Sequence, residues 1–412
     1  VTVAIAAAVA SITMGWLLVL AAPAPPAVIK IGVSLALTGP EARYGLPMLR
    51  GVELAVEEAN RAAHPGGATL EMLALDSASP GQGAISRQLG LDNYQRFVAD
   101  EAVVAVVGPQ TSGEARAAAP LLGRAGLVTI TPSATTFDLT DPAYAEQLRP
   151  GGRTVLFRTI ATDLAQGDAM ARFAHGRLQI RRVVVIDDGS DFGVRMAAAF
   201  SRRSSALGMT VLAGKPVAWA ESDYRPQLHE ASALNPEGLY FSGSYLVGVR
   251  LAQQIAEIMP WIHRMGTENL SDRAFPLQAG AASEQWFVPN VAPDVAASPE
   301  AADWAERFRR RFGQTPSGYA LTAYTAAAVI VDAVERLRRD GRPVTRTSVR
   351  LAIEVTRLSG TPQGVVSFDR HGDLEWPIVS IYEVAGGAFR FLETVTWKGA
   401  PGLPAEEMAT RP

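Results

Sequence analysis

The segment Ile29-Lys-Ile-Gly-Val-Ser-Leu35 places apolar residues at period two, which predicts a strand. After the turn residues Gly39-Pro40, Leu49, Val52, Val56 and Ala59 recur at helical spacing, with Glu53, Glu57 and Glu58 on other faces. That pattern predicts an amphipathic helix. Leu70 to Leu75 is strand-like, and a helix is expected from about Gly83 to Ala99. Val103-Val-Ala-Val-Val107 is an unbroken apolar run closed by Gly-Pro, as expected of a strand buried on both faces. Leu127 to Thr131 reads as another strand, ending in Pro132-Ser133.

The pattern restarts after about Arg158. Val183 to Ile186 predicts a buried strand, Asp187 to Gly193 the turn after it, and Val194 to Leu207 a helix stopped by Gly208. Val211-Leu212 and Leu239-Tyr-Phe241 continue the series. Strand, turn and helix in repeated order imply parallel sheets wound by right-handed crossovers. Two such runs predict an α/β protein with two Rossmann-like lobes. Toward the C-terminus, Trp304, Phe308 and Phe312 share one helical face, as do Tyr324, Ala327, Val331 and Val334, and Gly341 follows as a helix stop. Ligands of parallel α/β sheets bind beyond the carboxyl ends of the strands. That rule selects 39–44, 108–113, 132–136, 189–193, 243–245 and 266–269, drawn from both lobes, and so predicts a cleft between them.

Composition narrows the function. The 412 residues are 48% hydrophobic and 19% charged, which suits a globular chain with ample core. A net charge of −3 without a basic run argues against a nucleic-acid partner. Absence of cysteine excludes disulfides, thiolate metal sites and a lipid-anchored cysteine. Ala4 to Ala22 is apolar apart from Ser11 and Thr13, and precedes the first charged residue, Lys30. Residues 1–27 therefore read as a cleaved export signal or as an uncleaved anchor, since the run is long enough to span a bilayer. The Pro/Gly/Ala-rich stretch 398–412 reads as a flexible tail.

The motifs of common enzyme chemistry are missing. There is no nucleophile elbow, P-loop or G-x-G-x-x-G fingerprint. His64, His175, His229, His263 and His371 do not stand at metal-ligand spacing from one another. Asp187-Asp188 has no neighbouring nucleophile or metal motif to make it an acid–base pair. No enzyme activity, metal or cofactor is expected.

Leu37-Thr-Gly-Pro40, Tyr44-Gly45, Arg50-Gly-Val-Glu-Leu-Ala-Val-Glu-Glu-Ala-Asn60, Val103 to Gly113, Thr131-Pro-Ser-Ala-Thr135 and Thr315-Pro-Ser-Gly-Tyr319 together resemble the branched-chain amino-acid (Leu/Ile/Val)-binding protein family of ABC importers. The resemblance runs from about Ile29 to Thr394. It implies the type I periplasmic-binding fold, with two lobes joined by a three-segment hinge: 28–160 plus 290–372, and 161–289 plus 373–397. It also implies an exported, periplasmic solute carrier, with membrane anchoring through residues 4–22 as the alternative.

By the same resemblance, Ser112 and Thr135 with nearby amides hold a ligand carboxylate, and the Ser133 carbonyl helps bind its ammonium. Read from the residues alone, turn and helix-cap roles are favoured over a ligand role. Met265-Gly-Thr-Glu268 matches the segment that presents a glutamate to the ammonium; otherwise Glu268 is a loop glutamate. Tyr44, Tyr245 and Tyr319 match aromatic walls, and Phe192 stands where the family often has tyrosine. The implied function is capture of an amino acid or related small carboxylate by hinge closure, and delivery to importer membrane subunits by a monomer. A ligand-sensing receptor module, and an amide or aromatic-acid ligand, are the alternatives. The polar stretch 141–154 is longer than the family pattern leads one to expect.

Overall fold

The computed structural model describes residues 28–62, 69–79, 86–218 and 220–396. The expected export segment, the tail and His64 lie outside the described residues. The first lobe is built on β1 (Ile29–Leu35), β2 (Leu70–Asp76), β3 (Val103–Val107), β4 (Val128–Thr131) and β5 (Leu156–Arg158). They form a parallel sheet in the order β2-β1-β3-β4-β5. Helices α1 (Ala42–Ala62), α2 (Arg87–Ala99) and α3 (Ser112–Ala125) make the crossovers. Every residue of β3 is buried, as its unbroken apolar run requires.

The chain then enters the second lobe through α4 (Asp163–Gly176), β6 (Arg182–Asp187), α5 (Asp191–Ala206), β7 (Thr210–Ala213), α6 (Arg225–Ala233), β8 (Gly238–Ser242), α7 (Tyr245–Ile258), β9 (His263–Met265) and β10 (Trp286–Asn290). It returns to cover the first sheet with α8 (Ala302–Phe312), α9 (Gly318–Arg339) and α10 (Arg346–Glu354). A small antiparallel pair follows, β11 (Arg357–Thr361) and β12 (Gly364–Ser367). The last crossing leads to β13 (Ile378–Ala385) and β14 (Ala388–Thr396), which complete the order β14-β13-β10-β9-β8-β6-β7.

Two details differ from the sequence expectation. The second sheet is not wholly parallel, because β13 runs antiparallel to both β10 and β14. Gly386 and Gly387 join β13 to β14 with φ of 62° and 73°, a two-residue turn that strongly favours glycine. Helix α5 begins at Asp191, not Val194, because the Ser190 hydroxyl accepts the Gly193 N–H at 3.0 Å and caps it there. The stretch 141–154 is folded onto the first lobe. Leu148 is buried with Ala115, Ala119, Leu139 and Leu156, and the Thr154 hydroxyl donates to the Arg370 carbonyl at 3.1 Å.

Packing of α1 on α9 closes the first core. Trp304 lies 5.4 Å from Phe308 and 5.6 Å from Tyr324, ring to ring. The backbones approach closely at Gly51, where a Cβ would lie 2.2 Å from the Ala320 carbonyl oxygen. Gly51→Ala is therefore expected to lower unfolding stability by about 1–3 kcal/mol through forced separation of the helices. Gly176→Ala, at the end of α4 with no atom near its Cβ position, is expected to leave stability unchanged or raise it by up to about 1 kcal/mol. Urea titration of both variants checks the opposite signs.

Candidate ligand-binding site

The first lobe contributes two loops. Thr111 caps α3 reciprocally: its hydroxyl accepts the Glu114 N–H at 3.3 Å and its own N–H donates to the Glu114 carboxylate at 3.0 Å. This fixes Ser112 in the first helical turn. The Ser112 hydroxyl oxygen accepts the Thr136 N–H at 3.3 Å. Ser133 uses its hydroxyl proton on the Gln110 carbonyl at 2.7 Å, and Gln110 accepts the Ala36 N–H at 3.0 Å. Ser112, Ser133 and Thr135 thus lie on two loops bonded to each other. The Thr135 carbonyl accepts the Asp163 N–H at 3.0 Å, joining them to the start of α4.

From the second lobe comes the turn after β9. The Gln166 amide on α4 holds Glu268 twice, donating to its carboxylate at 2.8 Å and accepting its N–H at 3.1 Å. Asn269 donates to the Gly243 carbonyl at 3.0 Å and ties this turn to the one after β8. As a residue Glu268 is half-buried, yet its carboxyl lies deep. Burial first, then the nearby Asp163 carboxyl, raise it from the ordinary carboxylate range to about 8. Among the described residues Glu268 makes no ion pair. A carboxylate so placed is suited to receive a cation from a ligand.

Tyr44 and Tyr319 meet edge to face with ring centroids 6.0 Å apart. Burial raises the Tyr319 phenol, and the Glu268 charge raises it further. Tyr44 reaches across the lobes, its hydroxyl 3.4 Å from the Asp272 carboxylate, and Arg43 pairs with the same carboxylate at 3.5 Å. Phe192 and Tyr245 stand in the first turns of α5 and α7. They follow the adjacent strands β6 and β8, so they share one rim of the second lobe. Tyr245 packs on that lobe's core, and no ring contact or hydrogen bond joins Phe192 to the other candidates among the described residues. Asp187 and Asp188 serve the loop: Asp188 accepts the Ser244 N–H at 2.8 Å and the Ser190 N–H at 3.1 Å.

Sequence reading missed Asp163, Gln166 and Asp272. The strand-end rule reaches the first two when applied to β5, whose following segment leads directly into α4. Nothing in the local pattern marks Asp272.

A family model described as periplasmic binding protein matches residues 28–387. The chain belongs to the periplasmic binding protein family. Relatives of this periplasmic binding protein include the Leu/Ile/Val-binding protein BraC3 of Rhizobium johnstonii, 27% identical over 89% of this chain and 94% of that protein. The leucine-, isoleucine-, valine-, threonine- and alanine-binding protein of Pseudomonas aeruginosa is 25% identical over 86% of this chain and 89% of its own length. The fold matches the leucine-binding protein LivK of Thermotoga maritima with a TM-score of 0.69 and 24% identity, covering 89% of this chain and 98% of that one. Membership makes this a two-lobed binding protein outside the cytoplasm, not an enzyme. No helix among the described residues is long and apolar enough to cross a membrane.

Burying Glu268 works against the stability of the empty periplasmic binding protein. Its folded pKa lies above the unfolded value, so its contribution is fully present below about pH 4.5 and is lost as pH rises through about 8. In ligand-free protein, Glu268→Gln should match the wild type in acid. Above pH 8 it should be more stable by roughly 2–4 kcal/mol, which paired chemical unfolding at the two pH values measures.

Proposed function

We propose that this protein captures an amino acid, branched-chain or a related small carboxylate, by closing its lobes on it, and delivers it as a monomer to the membrane subunits of an ABC importer. The hinge would divide the chain into 28–160 plus 290–372 and 161–289 plus 373–397. The observation that carries the reading is Glu268, an enclosed carboxylate without a counter-ion, presented from the lobe opposite the Ser112 and Thr135 loops. Ser112 and Thr135 would take the ligand carboxylate, the Ser133 carbonyl and Glu268 its ammonium, and Tyr44, Tyr319, Tyr245 and Phe192 its side chain. A zwitterion meets both halves of such a site, because neither of its charges is then buried unpaired. Contacts to both lobes favour the closed state, which the membrane subunits would recognise. The names of the relatives from Rhizobium johnstonii and Pseudomonas aeruginosa support the amino-acid class.

Phe192 favours a second reading. It brings no hydroxyl to a rim where the family often has tyrosine, which suits an aromatic acid. A solute-binding protein of R. palustris solved in complex with benzoate shares the fold, with a TM-score of 0.66 and 19% identity, covering 91% of this chain and 99% of that one.

A thermal-shift screen with aliphatic amino acids, amides and aromatic acids separates the readings, since a ligand of the folded state raises apparent stability. Leucine or a near relative is expected to stabilise the protein. Glu268→Ala should weaken that ligand by about 1.5–3 kcal/mol in calorimetry, the worth of a charged hydrogen bond. Unchanged affinity removes Glu268 from the site. Stabilisation by benzoate alone, unaffected by Glu268→Ala, establishes the aromatic-acid reading instead.

A further inference from the structure

Asp163 is the first residue of α4, immediately after the first crossing between the lobes. It is 3% exposed, and one oxygen of its carboxyl has no hydrogen-bond partner. Gln166, one helical turn on, grips Glu268 at both its N–H and its carboxylate. Residues three apart lie on the same helix face, so Asp163 stands on the face of α4 from which Gln166 holds Glu268, and the Glu268 carboxyl feels the Asp163 charge. The Asp163 N–H also reaches Thr135, a proposed carboxylate seat.

The surrounding charges are unevenly placed. Asp163 is faced by the Thr135 hydroxyl, by Arg158 from β5, by Arg195 from α5 and by Asp138 from the turn after β4. Arg158 is already committed to Asp373 at 2.6 Å and to the Ala134 and Thr136 carbonyls at 3.0 Å each. Glu268 is faced by Asp163 and Gln166. Tyr240 on β8 and Tyr319 on α9 both feel its charge and are neutral phenols. No cation is among the groups acting on Glu268. Two enclosed carboxyls in this position do not both ionise readily.

We infer that Asp163 and Glu268 form one acidic seat that holds a single proton in the empty cleft, and that a ligand ammonium displaces this proton when it binds. The inference rests on the amino-acid reading above. The displaced proton passes to solvent as its O–H bond breaks. The arriving ammonium supplies the positive charge and up to three N–H donors in its place, so the charge of the seat is conserved. A ligand with a carboxylate and no amine has nothing to exchange for the proton. Proton release is therefore the mark of the ligand class.

Two measurements test this. The first needs no ligand: carboxyl carbon NMR titration of protein labelled with carbon-13 in Asp and Glu, with Glu268→Gln assigning the resonance. Glu268 should titrate well above the ordinary carboxylate range, and Asp163→Asn should move its midpoint down by about one unit or more. A Glu268 midpoint in the ordinary range, or one that Asp163→Asn leaves in place, overturns the shared seat. If Asp163→Asn does not fold, the Asp163 resonance in Glu268→Gln decides, and it must titrate lower than in the wild type. The second measurement is leucine calorimetry at pH 7 in phosphate and in Tris, whose protonation enthalpies differ. Release of about half to one proton per leucine is expected for the wild type, and clearly less for Asp163→Asn. Leucine binding without proton release overturns the exchange. If leucine, isoleucine and valine all fail to bind, the amino-acid reading and the exchange fall together, and the titration still decides whether the seat is shared.

Discussion

Arg158 ends β5, and its side chain has no contact with solvent. The guanidinium pairs with Asp373 at 2.6 Å, donates to the Ala134 and Thr136 carbonyls, and reaches the Thr140 hydroxyl at 2.8 Å. Thr140 in turn donates to Asp373 at 2.8 Å. A charge at this depth persists because its donors meet acceptors; a partner removed would leave an uncompensated ion. These bonds join the loop after β4, the start of the first crossing and the last crossing at one point. Backbone fit reinforces the join. Gly372 has φ of 98°, and a Cβ there would lie 2.2 Å from the Leu156 carbonyl oxygen. The loop that carries Ser133 and Thr135 is consequently tied to the end of β5 and to Asp373.

That anchorage explains the contrast between the two halves of the cleft. On the first lobe, polar groups are largely satisfied before any ligand arrives: Ser133 on Gln110, Ser112 on Thr136, Gln110 on Ala36. On the second lobe, Glu268 is enclosed and oriented by Gln166 without a counter-charge. The first arrangement is preorganised and costs little to maintain. The second is destabilising when ionised; on the proposed reading, a ligand cation would relieve it and so favour the closed state. Asp272, four residues after Glu268, adds a contact from the second lobe to Arg43 and Tyr44.

Much of this architecture is visible in the chain. β1, β3 and β6 announce themselves through alternation or unbroken apolar runs. The antiparallel β13–β14 addition is harder to see, because its partner strand β10 lies some ninety residues earlier in the chain. The start of α5 was obscured by Asp187 to Gly193, a run that reads as turn although Ser190 caps a helix within it. For the proposed site, strand-end position and family resemblance point to the hydroxyls, the aromatics and Glu268. Asp163 and Gln166 escape because their importance comes from a tertiary contact about a hundred residues away, and Arg158 because a mid-sequence arginine gives no sign that it will be buried.

The central claim is that the ligand lies with its anion on the first lobe and its cation on Glu268. A crystal structure of the protein with leucine bound tests it most directly. The account predicts the leucine carboxylate on Ser112 and Thr135, and the ammonium within hydrogen-bond distance of Glu268 with both lobes closed around it. A ligand seated on one lobe alone, or turned so that no nitrogen approaches Glu268, would contradict it.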